Sequence, residues 1–129
     1  MRALSLAIVG IDYPNKRGPA RRFELEVCQP GELVNLIAEP KNQFDEHAIA
    51  VFSCRDIQLG YLASERAVFI ATLWRQGHET CAVFQSLEPK VGWIRVAFDG
   101  DEPVLPTTVA RSNPLGADGF WPDEIYPEE

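Results

Sequence analysis

The apolar residues of this chain come in short runs, and that limits its fold more than any other feature. Residues 3–9, 32–38, 49–53, 57–62, 81–84 and 91–98 are each rich in Val, Ile, Leu, Phe or Ala, and Gly, Pro, Asn or Asp stand between most of them. Apolar runs of that length, bounded by turn formers, read as strands. Residues 23–28 alternate Phe23, Leu25 and Val27 with Glu24 and Glu26, the period-2 pattern expected of a half-buried strand. One stretch alone carries a helical period. Ser64 reads as its N-cap, Glu65 suits its first turn, Phe69, Ile70, Leu73 and Trp74 line one face, and Gly77 stops it. Short strands with one well-bounded helix predict a small barrel or strongly bent sheet with the helix sealing one end.

At 129 residues and 46% hydrophobic the chain suits one domain with a real core. No apolar run is long enough for a transmembrane helix. The opening "MRALSLAIVG" is read as a strand and not as a signal peptide, because its apolar run is short and no small-x-small cleavage site follows. Cys28, Cys54 and Cys81 form no CxxC pair and are read as buried thiols of a cytoplasmic protein.

The net charge of −7 argues at first against nucleic acid as a partner. Its distribution reverses that. Residues 1–97 hold eleven Lys/Arg and eleven Asp/Glu, whereas residues 98–129 hold Arg111 against eight acids. The folded part is neutral, with its arginines free to cluster. The expected division is a β-domain over 1–97 and an acidic, proline-rich tail over 98–129. In that tail Phe120, Trp121, Ile125 and Tyr126 either pack back on the body or serve a protein partner.

The most unusual stretch is Glu39-Pro-Lys-Asn-Gln-Phe-Asp-Glu-His-Ala-Ile-Ala-Val51. It occurs with Ile8-Val9-Gly10 and Tyr13, with Gly31-Glu32-Leu33-Val34, with Leu59-Gly60-Tyr61-Leu62, and with the segment 64–77. Five such elements in this order, over roughly residues 5–87, resemble the HIRAN domain, a module found in some Swi/Snf-type DNA translocases and as a stand-alone bacterial protein. The resemblance implies a mainly β fold with α, a small OB-like β-barrel with one or two short helices. It also implies a non-catalytic module that binds single-stranded DNA by capturing a free 3′ end, in repair, replication or the transactions of a mobile element. Asn42 and Asp45 would then contact the terminal nucleotide, with Asp45 accepting from the 3′-hydroxyl, while Phe44 and Tyr13 stack on bases. Two positions depart from the pattern. Asp12 stands where some relatives have an arginine, and Ser64 where they have a lysine. Lys16, Arg17, Arg21 and Arg22, in a loop longer than in those relatives, and Arg66 are the candidates to replace those charges at phosphates.

The residues allow plainer readings beside these. Asp45 is an Asx-turn residue or the acceptor for a sugar hydroxyl, which a phosphate there would not satisfy. Asn42 is a turn residue or a ligand contact. Phe44 is a core plug or an exposed stacking platform, worth ~1–3 kcal/mol per stacked base. Tyr13 divides in the same way. Tyr61, inside a strand, reads as core or rim and is kept among the binding candidates. No nucleophile setting, Gly-rich phosphate loop or paired metal motif is present, His78 and Cys81 having no second pair, so neither catalysis, cofactor nor metal is expected. The rival to DNA binding is a protein-interaction module on the same barrel, with the acidic tail folded over the groove as an autoinhibitor.

Overall fold

The computed structural model describes residues 2–106. The aromatic tail residues singled out above lie outside them. Six strands form a closed antiparallel barrel: β1 (Leu4–Val9), β2 (Leu33–Ala38), β3 (Ile49–Phe52), β4 (Gln58–Leu62), β5 (Thr80–Leu87) and β6 (Gly92–Phe98), in the order β1-β4-β3-β2-β5-β6. Each of the six apolar runs supplies one strand, and closure pairs every strand on both sides and leaves no apolar edge to water. Leu6, Ile8, Val34, Ile49, Val51, Leu59, Ile94 and Val96 alternate inward to form the core.

Closure turns on β1, which pairs Ile8 with Leu62 of β4 and Ala7 with Trp93 of β6. The approach of β1 to β4 depends on Gly60. A Cβ there would lie 2.4 Å from the Val9 carbonyl oxygen and 2.8 Å from Ile8 Cγ2. The glycine of the Leu59–Leu62 motif is thus a clearance at the barrel's seam.

Residues 21–27 are a correction to the sequence reading. They form a helix, α1 (Arg21–Val27), not a strand. Arg21, Glu24, Leu25 and Cys28 are the buried positions, the i, i+3, i+4, i+7 face of a helix, while Phe23 and Val27 are exposed. The alternation misled because the inward group includes a carboxylate. Glu24 Oε2 accepts from Ser53 Oγ at 2.7 Å and from Arg55 Nε at 2.6 Å, and Arg55 also reaches Glu32 at 3.2 Å. Those bonds hold the Arg55 guanidinium more firmly charged than usual.

The second helix, α2 (Ser64–Arg75), lies where expected, with two corrections. Ala63 occupies the cap position without a side-chain bond, and Ser64 is the first helical residue. Phe69 is partly exposed, and the buried face is Ala67, Ile70 and Leu73. Gly77, at φ +97°, ends the helix as read: its N–H bonds to Trp74 O and that of His78 to Leu73 O, a Schellman closure. The cysteines also differ from expectation, since Cys28 is buried, Cys81 half-buried and Cys54 exposed. Burial pushes the Cys28 thiol up to about 11. Among the described residues no helix is long and apolar enough to cross a membrane.

Two stability outcomes follow. Gly60→Ala is expected to lower the free energy of unfolding by about 1–3 kcal/mol, the usual cost of overpacking, measured by urea denaturation. Arg55→Ala leaves Glu24 buried without its cation and is expected to lower the urea midpoint in the same measurement.

Candidate nucleic-acid interface

Residues 39–48 join β2 to β3 and are built from two turns. Glu39 N–H bonds to Ala48 O and closes the base of the loop. Asn42 N–H returns to Glu39 O, and Ala48 N–H to Asp45 O. Side chains bridge the two turns. Asn42 Oδ1 accepts from the backbone N–H of Phe44 at 2.8 Å and of Asp45 at 3.1 Å, and Asp45 Oδ1 accepts from His47 N–H at 2.8 Å. Both short polar residues therefore do the local turn work that Asn and Asp are suited to. Pinned from both sides, Phe44 is 92% exposed, so it is not a core plug.

Turn duty leaves specific capacity over. Asn42 Nδ2 gives one proton to Glu39 Oε1 at 3.0 Å, and an amide nitrogen carries two. Asp45 Oδ2 has no protein partner among the described residues, and Asp45 is only partly buried. A free amide proton, a free carboxylate oxygen and a bare aromatic face thus stand within four consecutive residues.

Glu39 connects this corner to the rest of the site. The same Oε1 that accepts from Asn42 accepts from the Tyr61 hydroxyl at 2.8 Å. Tyr61 pairs across strands with Val9 and Ala50, and the Arg21 guanidinium sits 5.6 Å from its ring centroid. Arg21, 8% exposed, also donates to Gly10 O at 2.9 Å and to Asn15 Oδ1 at 2.8 Å. Tyr13 N–H bonds to Gly10 O, and the Tyr13 ring is 69% exposed. A continuous polar chain, Gly10–Arg21–Tyr61–Glu39–Asn42, therefore links the two exposed aromatic rings. Burial, with help from the Glu39 bond, raises the Tyr61 phenol above its ordinary range against a smaller opposing effect of Gln58.

The cations separate into two groups that sequence could not distinguish. Arg21 and Arg22 lie on α1, not in the loop. Arg21 is spent inside the chain just described. Arg22 Nε bonds to Asp12 at 2.9 Å and its Nη2 to Pro89 O at 2.7 Å. That bond holds the Asp12 carboxyl below its usual range, so the acid at the departed position faces an arginine of its own chain. Lys16 and Arg17 line an open groove with Tyr61 and Glu39. Arg66 stands in the first turn of α2 and is not part of that groove. Sequence reasoning missed Glu39 and Asn15 as organisers. The only signal for Glu39 was its place at the head of the motif.

A closed antiparallel barrel with a hydrogen-bonded corner, exposed aromatic rings and loop cations has the make-up of an oligonucleotide-binding barrel. The sequence matches the HIRAN domain over residues 1–99. The chain belongs to the HIRAN domain family, a family of single-stranded-DNA-binding modules. Its fold is similar to the crystal structure of the HIRAN domain of human HLTF, with a TM-score of 0.60, 22% identity and 74% of each chain covered. It is also similar to that of a protein from Lactobacillus plantarum, with a TM-score of 0.61, 24% identity and 76% and 97% of the two chains covered. No curated protein matches the chain.

The raised Tyr61 phenol gives a pH prediction. Its folded value exceeds the unfolded value near 10.0, so its contribution is complete below that pH and is lost as pH rises through the folded value. In a spectrophotometric titration Tyr61→Phe is expected to remove a phase that ionises above the ordinary tyrosine range and to flatten the alkaline fall in stability.

Proposed function

We propose that this protein is a non-catalytic module that holds single-stranded DNA by a free 3′ end, at the corner formed by Asn42, Phe44 and Asp45. The observation that carries this reading is the hydrogen-bonding capacity left at the corner. A terminal 3′-hydroxyl is both a donor and an acceptor. Asp45 Oδ2 has lone pairs left to accept its proton, and Asn42 has a second amide proton left for its oxygen. A charge-assisted bond to a carboxylate is among the stronger hydrogen bonds available, whereas a 3′-phosphate would meet the same carboxylate with like charge. Phe44 offers its face to the terminal base and Tyr13 to a neighbouring one, while Glu39, Tyr61 and Arg21 hold the two rings in relation to each other. Such a module suits repair, replication-fork processing or a mobile element's DNA transactions, where strand ends are exposed.

The test is fluorescence anisotropy of short 5′-labelled strands ending in 3′-hydroxyl or 3′-phosphate. The hydroxyl end is expected to bind at least tenfold more tightly, in keeping with the ~1.5–3 kcal/mol typical of hydrogen bonds to charged groups. Asp45→Ala is expected to abolish the preference and Phe44→Ala to weaken both ends alike. Equal affinity of wild type for the two ends would sink the end-capture reading.

A further inference from the structure

Away from the corner, two thiols converge on one cation. Cys28 closes α1, where its N–H bonds to Glu24 O and Leu25 O, and Cys54 stands in the turn between β3 and β4. The Arg55 guanidinium touches both. Its Nη1 lies 3.6 Å from Cys54 Sγ, and its Nη2 lies 3.7 Å from Cys28 Sγ. Glu32 completes the cluster: its Oε1 accepts from Arg55 Nη2 at 3.2 Å and from Cys54 Sγ at 3.7 Å. Sulfurs held by the two terminal nitrogens of one planar guanidinium are neighbours in the fold, although β2 and β3 separate them in the chain.

The two thiols differ in access, and so in the chemistry open to them. Cys54 is exposed, whereas Cys28 is 7% exposed and its thiol is pushed up by burial. The thiolate is the nucleophile in oxidation, and an accessible cysteine beside a second, resolving one is the arrangement that reversible oxidation requires. At Cys54 a guanidinium faces the sulfur and a carboxylate accepts its proton. The Arg55 bond holds the Glu32 carboxyl below its usual range, so that acceptor is ionised. Cys28 stays protonated and shielded until the other sulfur is oxidised. The Arg55 side chain is 41% exposed, so its terminal nitrogens have solvent to turn to when the sulfurs close on each other.

We propose that Cys54 and Cys28 form a peroxide-sensitive pair, in which Cys54 is the residue oxidised and Cys28 closes an intramolecular disulfide on it. The Cys54 sulfur attacks one oxygen of hydrogen peroxide and the O–O bond breaks. The other oxygen departs as water with the thiol's proton, leaving a sulfenic acid. The Cys28 sulfur then attacks Cys54 Sγ, the S–O bond breaks, and the hydroxyl departs as a second water with the Cys28 proton. Two thiols are oxidised to one disulfide, and one peroxide is reduced to two waters. The bond joins the end of α1 to the β3–β4 turn, the two elements that Glu24 already links through Ser53 and Arg55. It sets a covalent tie beside an ionic one and constrains the unfolded chain between residues 28 and 54. Thiol reductants reverse it.

The test treats the reduced full chain with a small excess of hydrogen peroxide, counts free thiols in denaturant, and maps the unreduced proteolytic peptides by mass spectrometry. The chain starts with three free cysteines. Oxidation is expected to leave one, Cys81 on β5, with the Cys28 and Cys54 peptides joined, and dithiothreitol is expected to restore all three. Cys28→Ser is expected to stop at a sulfenic acid on Cys54, which dimedone traps, and Cys54→Ser to leave Cys28 reduced. The urea midpoint of the oxidised wild type is expected to exceed that of the reduced protein. Three titratable thiols after exposure, or a Cys54–Cys54 bond between two molecules as the only product, overturns the proposal. A lower urea midpoint after oxidation also overturns it, because the thiols would then meet only in a broken fold. Should a variant fail to fold, the wild-type peptide map decides by itself.

Discussion

Closure of the barrel at β1 is the constraint on which the rest of the structure depends. A six-residue strand must bond to β4 on one side and to β6 on the other, and it fits because Gly60 presents no Cβ to the Val9 carbonyl. With the seam shut, all six strands are paired on both sides and the apolar faces enclose one core. The same seam positions the candidate site. Val9, Tyr61, Ala50 and Ile37 lie in register across β1, β4, β3 and β2, directly below the loops that leave those strands.

Upon that frame the polar residues are used in two ways. Glu24 is taken into the interior, and its cost is offset by Ser53 and Arg55, which tie α1 to the β3–β4 turn. Glu39 stays half-buried and gives one oxygen to two donors, Tyr61 and Asn42, from different parts of the chain. The first arrangement fixes the helix that carries Arg21. The second fixes the corner that Arg21 reaches through Tyr61. A buried carboxylate bonded on more than one side, as Glu24 is, specifies geometry more strictly than apolar packing does.

The strands were legible because runs such as residues 49–53 and 91–98 carry period and length together. The end of α2 was legible because Gly77 has a backbone role that few residues fill. The helix at 21–27 was not. Phe23, Leu25 and Val27 alternate as a strand would, and the residue that overrides them is a glutamate whose partners lie about thirty positions further on. The same limit applied to the site. The motif from Glu39 to Val51 marked its place, and the turn chemistry of Asn42 and Asp45 could be named from residue type. Whether Phe44 faced solvent could not, since a phenylalanine in a polar loop has either fate until its neighbours are placed. Four cations in seven residues looked alike in sequence, yet Arg21 and Arg22 are bonded within the protein while Lys16 and Arg17 are exposed at the groove that Arg21 also lines.

By itself, then, the sequence determined the run lengths that call for a small barrel or strongly bent sheet, the positions where the backbone must turn, and the family to which the chain belongs. These are set by local backbone preference and by apolar period, and each is written within a few residues. Tertiary structure alone decided which charges are spent and which remain. That question depends on pairs such as Asp12 with Arg22, Glu24 with Arg55, and Glu39 with both Asn42 and Tyr61. Several of these partners are far apart in the chain, and they come within hydrogen-bond distance only when the barrel shuts.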